Sequence, residues 1–135
     1  MPRKIYAPGT PIPTEKQEQV KLCMWLRKNN VFFFSIPNGG SRNYWEAIAL
    51  NKAGLLAGVP DLCIPIPMPS KGKYSLYIEL KRQVGGVVSE KQKTVMDRLN
   101  GFGNYAVVCC GWEEARKVVE EYLDLSSTRN MHQPK

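Results

Sequence analysis

The sequence contains a single histidine, and this scarcity excludes several kinds of active site. His132 lies beside Gln133 and Pro134 in a polar C-terminal stretch that predicts no structured pocket. Sites that need an imidazole group are therefore excluded, among them serine–histidine–aspartate triads, cysteine–histidine pairs, histidine-rich zinc centres and inward-facing HExxH helices. Any catalysis must use carboxylates, lysine, a hydroxyl, a thiol or a bound hard metal ion.

Long apolar runs are also missing. No stretch approaches the roughly 18 residues that a membrane-spanning helix needs, and Met1-Pro2-Arg3-Lys4 leads into a proline-rich stretch instead of an apolar signal core. We therefore expect no membrane partner and a cytoplasmic location, in the host cell if a phage encodes the protein. With 135 residues, of which 43% are apolar, the chain is expected to form one domain with a single core.

The cysteines lack the paired spacing that is typical of zinc sites and disulfide frameworks. They lie in or beside apolar stretches, at Cys23, Cys63, Cys109 and Cys110. We expect reduced thiols that act as small hydrophobic side chains in the core.

Acidic residues are the scarcer charge, since 12 Asp and Glu stand against 19 Lys and Arg, for a net charge of +7. Residues 1–93 carry 14 basic and 6 acidic side chains, so the positive excess lies there. This charge favours a polyanionic partner, and nucleic acid is the most common one. A basic surface that only aids solubility is the alternative.

Helix and strand signals alternate along the chain. Capping-box spacing of Thr14 with Gln17, and of Ser89 with Gln92, predicts helices that begin at these pairs and end near Asn30 and Asn100. Further helices are predicted over 43–53 and 112–123, and strands over 31–36, 62–64, 74–81 and 105–110. The order α-β-α-β-β-α-β-α predicts a mixed α/β domain with helices around a central sheet over 14–123. An extended arm over 1–13 precedes it, and a flexible tail over 124–135 follows.

The aromatic residues divide into two groups by position. Trp25, Trp45 and Trp112 lie within predicted helices, and we expect them to pack against the core. Tyr77 lies in the predicted strand 74–81, on the face opposite the core, and is the first candidate for stacking on a nucleobase.

The same strand carries the residues that could perform chemistry. Alternation predicts a core face of Tyr74, Leu76, Ile78 and Leu80, and an opposite face of Ser75, Tyr77, Glu79 and Lys81. Asp61 begins the preceding strand, a short proline-rich hairpin away, so Asp61 and Glu79 can meet across adjacent strands. Two converging carboxylates form an oxygen site that suits Mg²⁺.

Such a site has the chemistry for phosphodiester hydrolysis. A metal ion polarises the phosphate and lowers the pKa of its bound water, and Lys81 supplies a positive charge beside them. Taken alone, Glu79 and Lys81 also fit a solvated ion pair at a strand end, and Asp61 fits an ordinary Pro-Asp turn. The order of these motifs along the chain favours the metal site.

Pro60-Asp61 followed by Glu79-Leu80-Lys81 resembles the signature of PD-(D/E)XK nucleases, and the fuller pattern is similar to the virus-type replication-repair nuclease (VRR-NUC) domain over about 14–123. The segments that carry the resemblance are 15–19, Pro37-Asn38-Gly39-Gly40 with Arg42, Gly58-Val59-Pro60-Asp61-Leu62, Ile78-Glu79-Leu80-Lys81-Arg82, Ser89 with Gln92, and Gly111-Trp112-Glu113-Glu114-Ala115.

The resemblance implies a restriction-endonuclease-like core and assigns roles to single residues. Asp61 and Glu79 are implied as ligands of Mg²⁺, with Mn²⁺ as a substitute, the Leu80 carbonyl as a further ligand and Lys81 as the catalytic lysine. A glutamate of the first helix completes many such sites. Glu18 is our choice because it lies on the core-facing side of that helix, Glu15 is its rival, and an ordinary surface role for Glu18 is the alternative.

The resemblance also implies residues near the DNA. Gln92 is expected to hydrogen-bond Lys81 or a phosphate, although capping-box spacing alone explains it as the partner of Ser89. The loop residues Asn38, Gly39, Gly40 and Arg42, together with Arg82, are expected to contact the DNA backbone, although a plain turn has the same composition.

The implied activity is that of a metal-dependent DNA endonuclease with no organic cofactor. It cleaves structured DNA, such as a Holliday junction or a flap, and leaves a 5′-phosphate and a 3′-hydroxyl. A homodimer is expected, because symmetric cleavage of a four-way junction requires two sites related by a two-fold axis. The alternatives are a restriction-like nuclease on ordinary duplex, a catalytically silent nucleic-acid-binding module, and a basic structural protein with a chance motif.

Overall fold

The computed structural model describes residues 7–37 and 43–125. His132 and the predicted DNA contacts Asn38, Gly39, Gly40 and Arg42 lie outside the described residues. The elements are α1 (Glu15–Lys28), β1 (Phe34–Ser35), α2 (Tyr44–Lys52), β2 (Leu62–Ile64), β3 (Leu76–Lys81), α3 (Glu90–Gly101), β4 (Tyr105–Cys110) and α4 (Trp112–Tyr122), with a short 3₁₀ turn over Pro69–Lys71. The predicted mixed α/β fold and its order of elements are confirmed.

The four strands form one sheet in the order β1-β2-β3-β4. The pairs β1–β2 and β2–β3 are antiparallel, and β4 is parallel to β3. A parallel pair needs a crossover connection, and α3 provides it. Because β2 and β3 are joined by a hairpin, residues just before β2 lie beside the end of β3.

The core lies between one face of the sheet and the helices α1 and α4. It contains Leu22, Leu26, Leu62, Ile64, Leu76, Ile78, Leu80, Cys109, Ala115, Val119 and Tyr122, all at most 3% exposed. In β3 the core residues alternate with Tyr77, Glu79 and Lys81, which therefore lie on the opposite face.

The two predicted capping boxes are present and determine where α1 and α3 begin. The Thr14 and Ser89 side chains accept hydrogen bonds from the backbone N–H groups of Gln17 and Gln92. In each case the glutamine side chain accepts a hydrogen bond from the backbone N–H of its cap residue in return. Two backbone donors at each helix start are thus satisfied.

Two strands differ from the prediction. The strand expected over 31–36 as a buried strand contains only Phe34–Ser35, and both residues are exposed, because β1 is at the edge of the sheet and pairs with β2 alone. The strand expected to begin at Tyr74 begins at Leu76. Tyr74 lies outside the ladder with 68% of its surface exposed, so its assignment to the core face is wrong.

The predicted packing of the tryptophans is only partly correct. Trp25 and Trp112 pack against the core, whereas Trp45 on α2 is 75% exposed. All four cysteines are free thiols, as expected, and Cys110 is only half-buried. Over residues 7–37 and 43–125, the structure contains no helix with the length and apolar character needed to cross a bilayer.

A close contact fixes the loop that leads into β2. Gly58 has φ of +94°, and a Cβ atom at this position would lie 2.6 Å from the Lys91 carbonyl oxygen in the first turn of α3. Only glycine has both the backbone freedom and the small size for this contact. Gly58 therefore holds the segment before Asp61 against the start of α3.

We expect Gly58→Ala to lower the free energy of unfolding more than Gly54→Ala. Both glycines have positive φ, but a Cβ atom on Gly54, with φ of +106°, meets nothing within 4 Å. The difference between the variants isolates the contact with Lys91 and should be about 1–3 kcal/mol. Urea unfolding measures it, and equal destabilisation would contradict the role given to this contact.

Candidate active site

The antiparallel register of β2 and β3 brings two carboxylates together. Leu62 pairs with Ile78, so the preceding residue, Asp61, lies opposite the following one, Glu79. Directly opposed residues share a face of the sheet and have Cβ atoms about 5 Å apart. This register thus places Asp61 beside Glu79, as predicted, on the face of the sheet opposite the core.

The Asp61 carboxylate extends the hydrogen bonding of β3 beyond the end of β2. Its Oδ2 accepts a hydrogen bond of 2.7 Å from the Leu80 backbone N–H. In an extended strand, the N–H and C=O of one residue point to the same edge. The Leu80 carbonyl therefore points toward Asp61, whereas the Lys81 carbonyl points toward β4 and accepts from the Gly111 N–H at 2.9 Å.

Lys81, Glu79 and Gln92 form one hydrogen-bonded group. The Lys81 Nζ lies 3.2 Å from Glu79 Oε2 and donates to Gln92 Oε1 at 3.0 Å. The Gln92 Nε2 donates to the same Glu79 Oε2 at 2.9 Å. The Gln92 amide thus links the two charged groups: its oxygen accepts from the Lys81 ammonium, and its nitrogen donates to the Glu79 carboxylate.

The capping box of α3 orients this amide. Gln92 Oε1 accepts from the Ser89 backbone N–H at 2.9 Å in addition to Lys81, and the Gln92 backbone N–H donates to the Ser89 hydroxyl. The oxygen must face the Ser89 and Lys81 donors, so the Nε2 faces Glu79. The capping box of Ser89 and Gln92 therefore also positions the Gln92 side chain in the site.

Burial raises the pKa values of both carboxyl groups. The pKa of Glu79 is raised from 4.5 to about 7, first by burial and then by the nearby charge of Asp61, although Lys81 opposes the shift. Burial also raises the pKa of Asp61, against the hydrogen bond from Leu80, and Glu15 contributes repulsion at both groups. Two close carboxylates with raised pKa values form a site that favours a bound cation.

A family model describes this arrangement of motifs. The model of the VRR-NUC domain matches residues 13–113, about three quarters of the chain. The chain belongs to the VRR-NUC domain family. A solved structure of a VRR_NUC domain protein has the same fold, with a TM-score of 0.73 and 22% sequence identity over 93% of this chain and 100% of that chain. A search of curated proteins finds no match.

Membership of the VRR-NUC family gives the chain a nuclease-type function and indicates DNA as the substrate. The family assignment rests on the sequence of the domain, and the structural likeness supports the fold. The group around Asp61, Glu79 and Lys81 is therefore the candidate active site.

Glu18, our choice as the metal ligand from α1, is fully buried and has other partners. Its Oε2 accepts from Gln83 Nε2 at 2.8 Å, and its Oε1 accepts from the Trp112 backbone N–H at 3.1 Å. Trp112 is the first residue of α4, and the preceding Gly111 has no side chain to cap it. Both oxygens of Glu18 thus join α1 to the start of α4 and to the chain after β3.

Glu15, the rival, lies in the first turn of α1 and is exposed. Its charge contributes to raising the pKa values of Asp61 and Glu79. Within residues 7–37 and 43–125, however, no three Asp, Glu, His or Cys side chains converge as a metal-binding group. Glu15 is therefore near enough to act electrostatically but does not complete a cluster of three.

The oxygens at the centre of this VRR-NUC site fit a hard divalent cation. Asp61 uses Oδ2 for Leu80, and Glu79 uses Oε2 for Lys81 and Gln92, so each carboxylate has a second oxygen. Mg²⁺ prefers such oxygens and keeps several waters, so two carboxylates and a backbone carbonyl are a sufficient donor set.

Among the predicted DNA contacts, Arg82 is exposed and follows directly after β3. Tyr77 is half-buried and lies opposite Cys63. The contacts assigned to 38–42 lie outside the described residues.

Two residues near the candidate active site could not be found from the sequence. Gln83 is 7% exposed and holds Glu18. Gly86 lies against Lys81, since a Cβ atom there would be 2.9 Å from the Lys81 Cβ. Neither carries a motif of its own. The pair Gly85-Gly86 indicates only a loop, and nothing links position 83 to position 18 along the chain.

In metal-free buffer, we expect the wild-type protein to lose stability as the pH rises from about 4.5 to about 7. Glu79 has a higher pKa folded than unfolded, so the folded state binds more protons in this window and the free energy of unfolding falls with pH. The loss from Glu79 is at most about 3 kcal/mol.

Urea unfolding at several pH values with a chelator tests this. Glu79→Gln should flatten the slope, because its amide does not titrate, while Glu121→Gln on the exposed side of α4 should keep the wild-type slope. The same slope in wild type and Glu79→Gln would contradict the raised pKa.

Proposed function

We propose that this protein is a Mg²⁺-dependent DNA endonuclease that hydrolyses phosphodiester bonds in branched DNA and leaves a 5′-phosphate and a 3′-hydroxyl. The observation that carries the proposal is the group of Asp61, Glu79 and Lys81 at the adjoining ends of β2 and β3, with Gln92 bridging the last two. An ion pair of Lys81 with Glu79 that served only stability would have no need of a second, half-buried carboxylate, Asp61, that raises the pKa of Glu79.

Asp61, Glu79 and the Leu80 carbonyl would hold the cation. Bound there, Mg²⁺ supplies polarisation of the phosphate and a lowered pKa of a coordinated water. Mn²⁺ has the same preference for oxygen ligands and is the expected substitute. In the hydrolysis, a water oxygen attacks phosphorus and the bond to O3′ breaks, which accounts for the two product ends.

Lys81 is proposed to orient the attacking water or a phosphate oxygen. An ammonium group has three donors, and within the described residues one points to Glu79 and one to Gln92. The third is available to an oxygen of the substrate. Because Glu79 and Gln92 fix the ammonium, its charge is already in place when negative charge develops on the phosphate.

Glu15 is proposed as the acidic residue of α1 that supports the cation, in place of Glu18. Its charge acts on both Asp61 and Glu79, whereas Glu18 uses both oxygens for Gln83 and Trp112. Because no cluster of three acidic side chains is present in the described part of the chain, Glu15 would act through a metal-bound water.

We expect Glu15→Gln to impair cleavage and Glu18→Gln to impair stability. Glu15→Gln should lower Mg²⁺-dependent cleavage about 10- to 100-fold, as loss of an outer ligand does, with unchanged thermal stability. Glu18→Gln should lower the free energy of unfolding by about 2–4 kcal/mol, because buried donors on Gln83 and Trp112 lose a charged acceptor. Urea unfolding and cleavage rates of both variants decide which glutamate supports the cation. The reverse pattern would restore Glu18 as the ligand.

Branched DNA is the proposed substrate, and a homodimer is the proposed assembly. Two copies related by a two-fold axis would present two sites to the two strands of a symmetric four-way junction. The net charge of +7 suits the high phosphate density around a junction. The second candidate is a restriction-like enzyme, which would cut linear duplex in a sequence-dependent way.

A cleavage panel tests the proposal. Wild-type protein with Mg²⁺ should cut four-way and flap substrates faster than linear duplex of the same sequence, and a chelator should stop the reaction. Asp61→Asn should lower cleavage at least about 10²-fold while binding to DNA persists, because the carboxylate serves the chemistry more than the phosphate contacts.

Lys93, which is exposed on α3, serves as the control lysine for Lys81. Lys93→Ala should keep cleavage within a few-fold of wild type, and Lys81→Ala should abolish it. Undiminished cleavage by Asp61→Asn or Lys81→Ala would overturn the site. Binding without cleavage by the wild type on every substrate would instead favour a silent binding module.

A further inference from the structure

The loop between β3 and α3 lies against the side chain of Lys81. A Cβ atom on Gly86 would lie 2.9 Å from the Cβ of Lys81, 3.4 Å from its Cγ and 3.5 Å from its Cδ. Three successive carbons of the lysine side chain thus run past Gly86. The Lys81 side chain is only 8% exposed, although positions 84–87 of the loop are themselves exposed. The loop therefore covers the stem of this lysine.

Gly86 is needed here for its small size and not for an unusual backbone conformation. Its φ is not positive, in contrast to Gly85 with φ of +82°, so an alanine could adopt the same backbone. The distance of 2.9 Å is too short for two carbon atoms that share no bond, since their optimal separation is about 3.5–4.0 Å. An alanine at position 86 therefore requires Lys81 or the loop to move.

The backbone of Lys81 is fixed on both sides of its strand. Its carbonyl accepts from the Gly111 N–H at 2.9 Å, and the N–H of the preceding Leu80 donates to the Asp61 carboxylate at 2.7 Å. A Cβ atom moves only with its backbone, because rotation about side-chain bonds does not displace it. Lys81 therefore cannot avoid an added methyl group by a change of rotamer alone.

The loop is fixed at both of its ends. Gln83 is buried and donates to the Glu18 carboxylate at 2.8 Å, which joins the start of the loop to α1. Ser89 is the N-cap of α3, and its backbone N–H donates to Gln92 Oε1, the oxygen that also accepts from Lys81. A loop that withdrew from Lys81 would thus disturb the same Gln92 amide.

We propose that Gly86 is a positioning residue for Lys81, and that its lack of a side chain lets the loop hold the ammonium group against Glu79 and Gln92. This inference rests on the proposed nuclease function and adds the element that keeps its lysine in place. A displaced Lys81 would lose its contacts of 3.2 Å and 3.0 Å with these two partners. A displaced loop would lose the contact between Ser89 and Gln92. Either movement releases the ammonium group.

Cleavage kinetics of Gly86→Ala on four-way DNA test the proposal. A misplacement of a catalytic group by about 1 Å can lower a rate about 10²-fold, so kcat should fall about 10- to 100-fold. The KM for DNA and the affinity for Mn²⁺ should stay within about threefold of wild type, because Gly86 is neither a proposed cation ligand nor a proposed phosphate contact.

Nuclear magnetic resonance of ¹⁵N-labelled lysine reports on Lys81 without DNA. A buried and hydrogen-bonded ammonium group exchanges its protons slowly with water, so the wild type should give a Lys81 Nζ signal that Lys81→Ala removes. Gly86→Ala should lose this signal as well. Thermal melting should show that the variant is still folded, because Gly86 is exposed and its φ suits alanine.

Two other glycines provide matched controls. Gly101, the last residue of α3, also lacks a positive φ, and a Cβ atom there meets nothing within 4 Å. Gly101→Ala should leave cleavage and the Lys81 signal unchanged. Gly85→Ala strains the same loop through its positive φ, but its Cβ atom also meets nothing within 4 Å. It should lower the melting temperature and keep cleavage within a few-fold of wild type.

Cleavage at the wild-type rate, or an intact Lys81 signal, in Gly86→Ala would overturn the proposal. An equal loss of cleavage in Gly85→Ala would overturn it too, since the whole loop would then be responsible. A Gly86→Ala protein that does not fold would make the contact a requirement of stability instead. If the wild type cleaves no DNA, the nuclease function is refuted, and the Lys81 signal still decides whether Gly86 positions Lys81.

Discussion

The structure depends on the register between β2 and β3, because it places Asp61 opposite Glu79. Two carboxylates at this distance repel each other, and burial strengthens the repulsion. The surrounding residues compensate with donors: the Leu80 N–H on one acid, and Lys81 with the Gln92 amide on the other. A shift of the register by one residue would send the side chains of one strand to the other face and remove the site.

Secondary structure and chemistry share residues in this domain. The capping box of α3 satisfies two backbone donors and at the same time fixes the amide that joins Lys81 to Glu79. Glu18 also joins separate elements, because its two oxygens accept hydrogen bonds from Gln83 and from the backbone N–H of Trp112 at the start of α4. The fold and the positioning of the candidate catalytic group are therefore hard to alter separately.

Features that depend on local spacing could be predicted from the sequence. The capping boxes and the alternation in β3 follow from patterns of two to four residues. The opposition of Asp61 and Glu79 followed from a hairpin of adjacent strands, which is nearly local.

Features that depend on distant packing could not be predicted. Phe34 lies in a segment with the composition of a buried strand, but its position at the edge of the sheet leaves it exposed. Trp45 lies at a helical position, but α2 meets no core. Helical periodicity places Glu18 on the core-facing side of α1, but it does not show that Gln83, 65 positions away, binds the Glu18 carboxylate. These outcomes require the tertiary arrangement.

Mn²⁺ binding followed by electron paramagnetic resonance without DNA decides whether Asp61 and Glu79 together hold a divalent cation. The wild-type protein should bind Mn²⁺, and Asp61→Asn and Glu79→Gln should each weaken this binding at least about tenfold, while Glu90→Gln, on the exposed start of α3, should leave it unchanged. Equal Mn²⁺ affinity in all four proteins would show that the two carboxylates do not form a cation site.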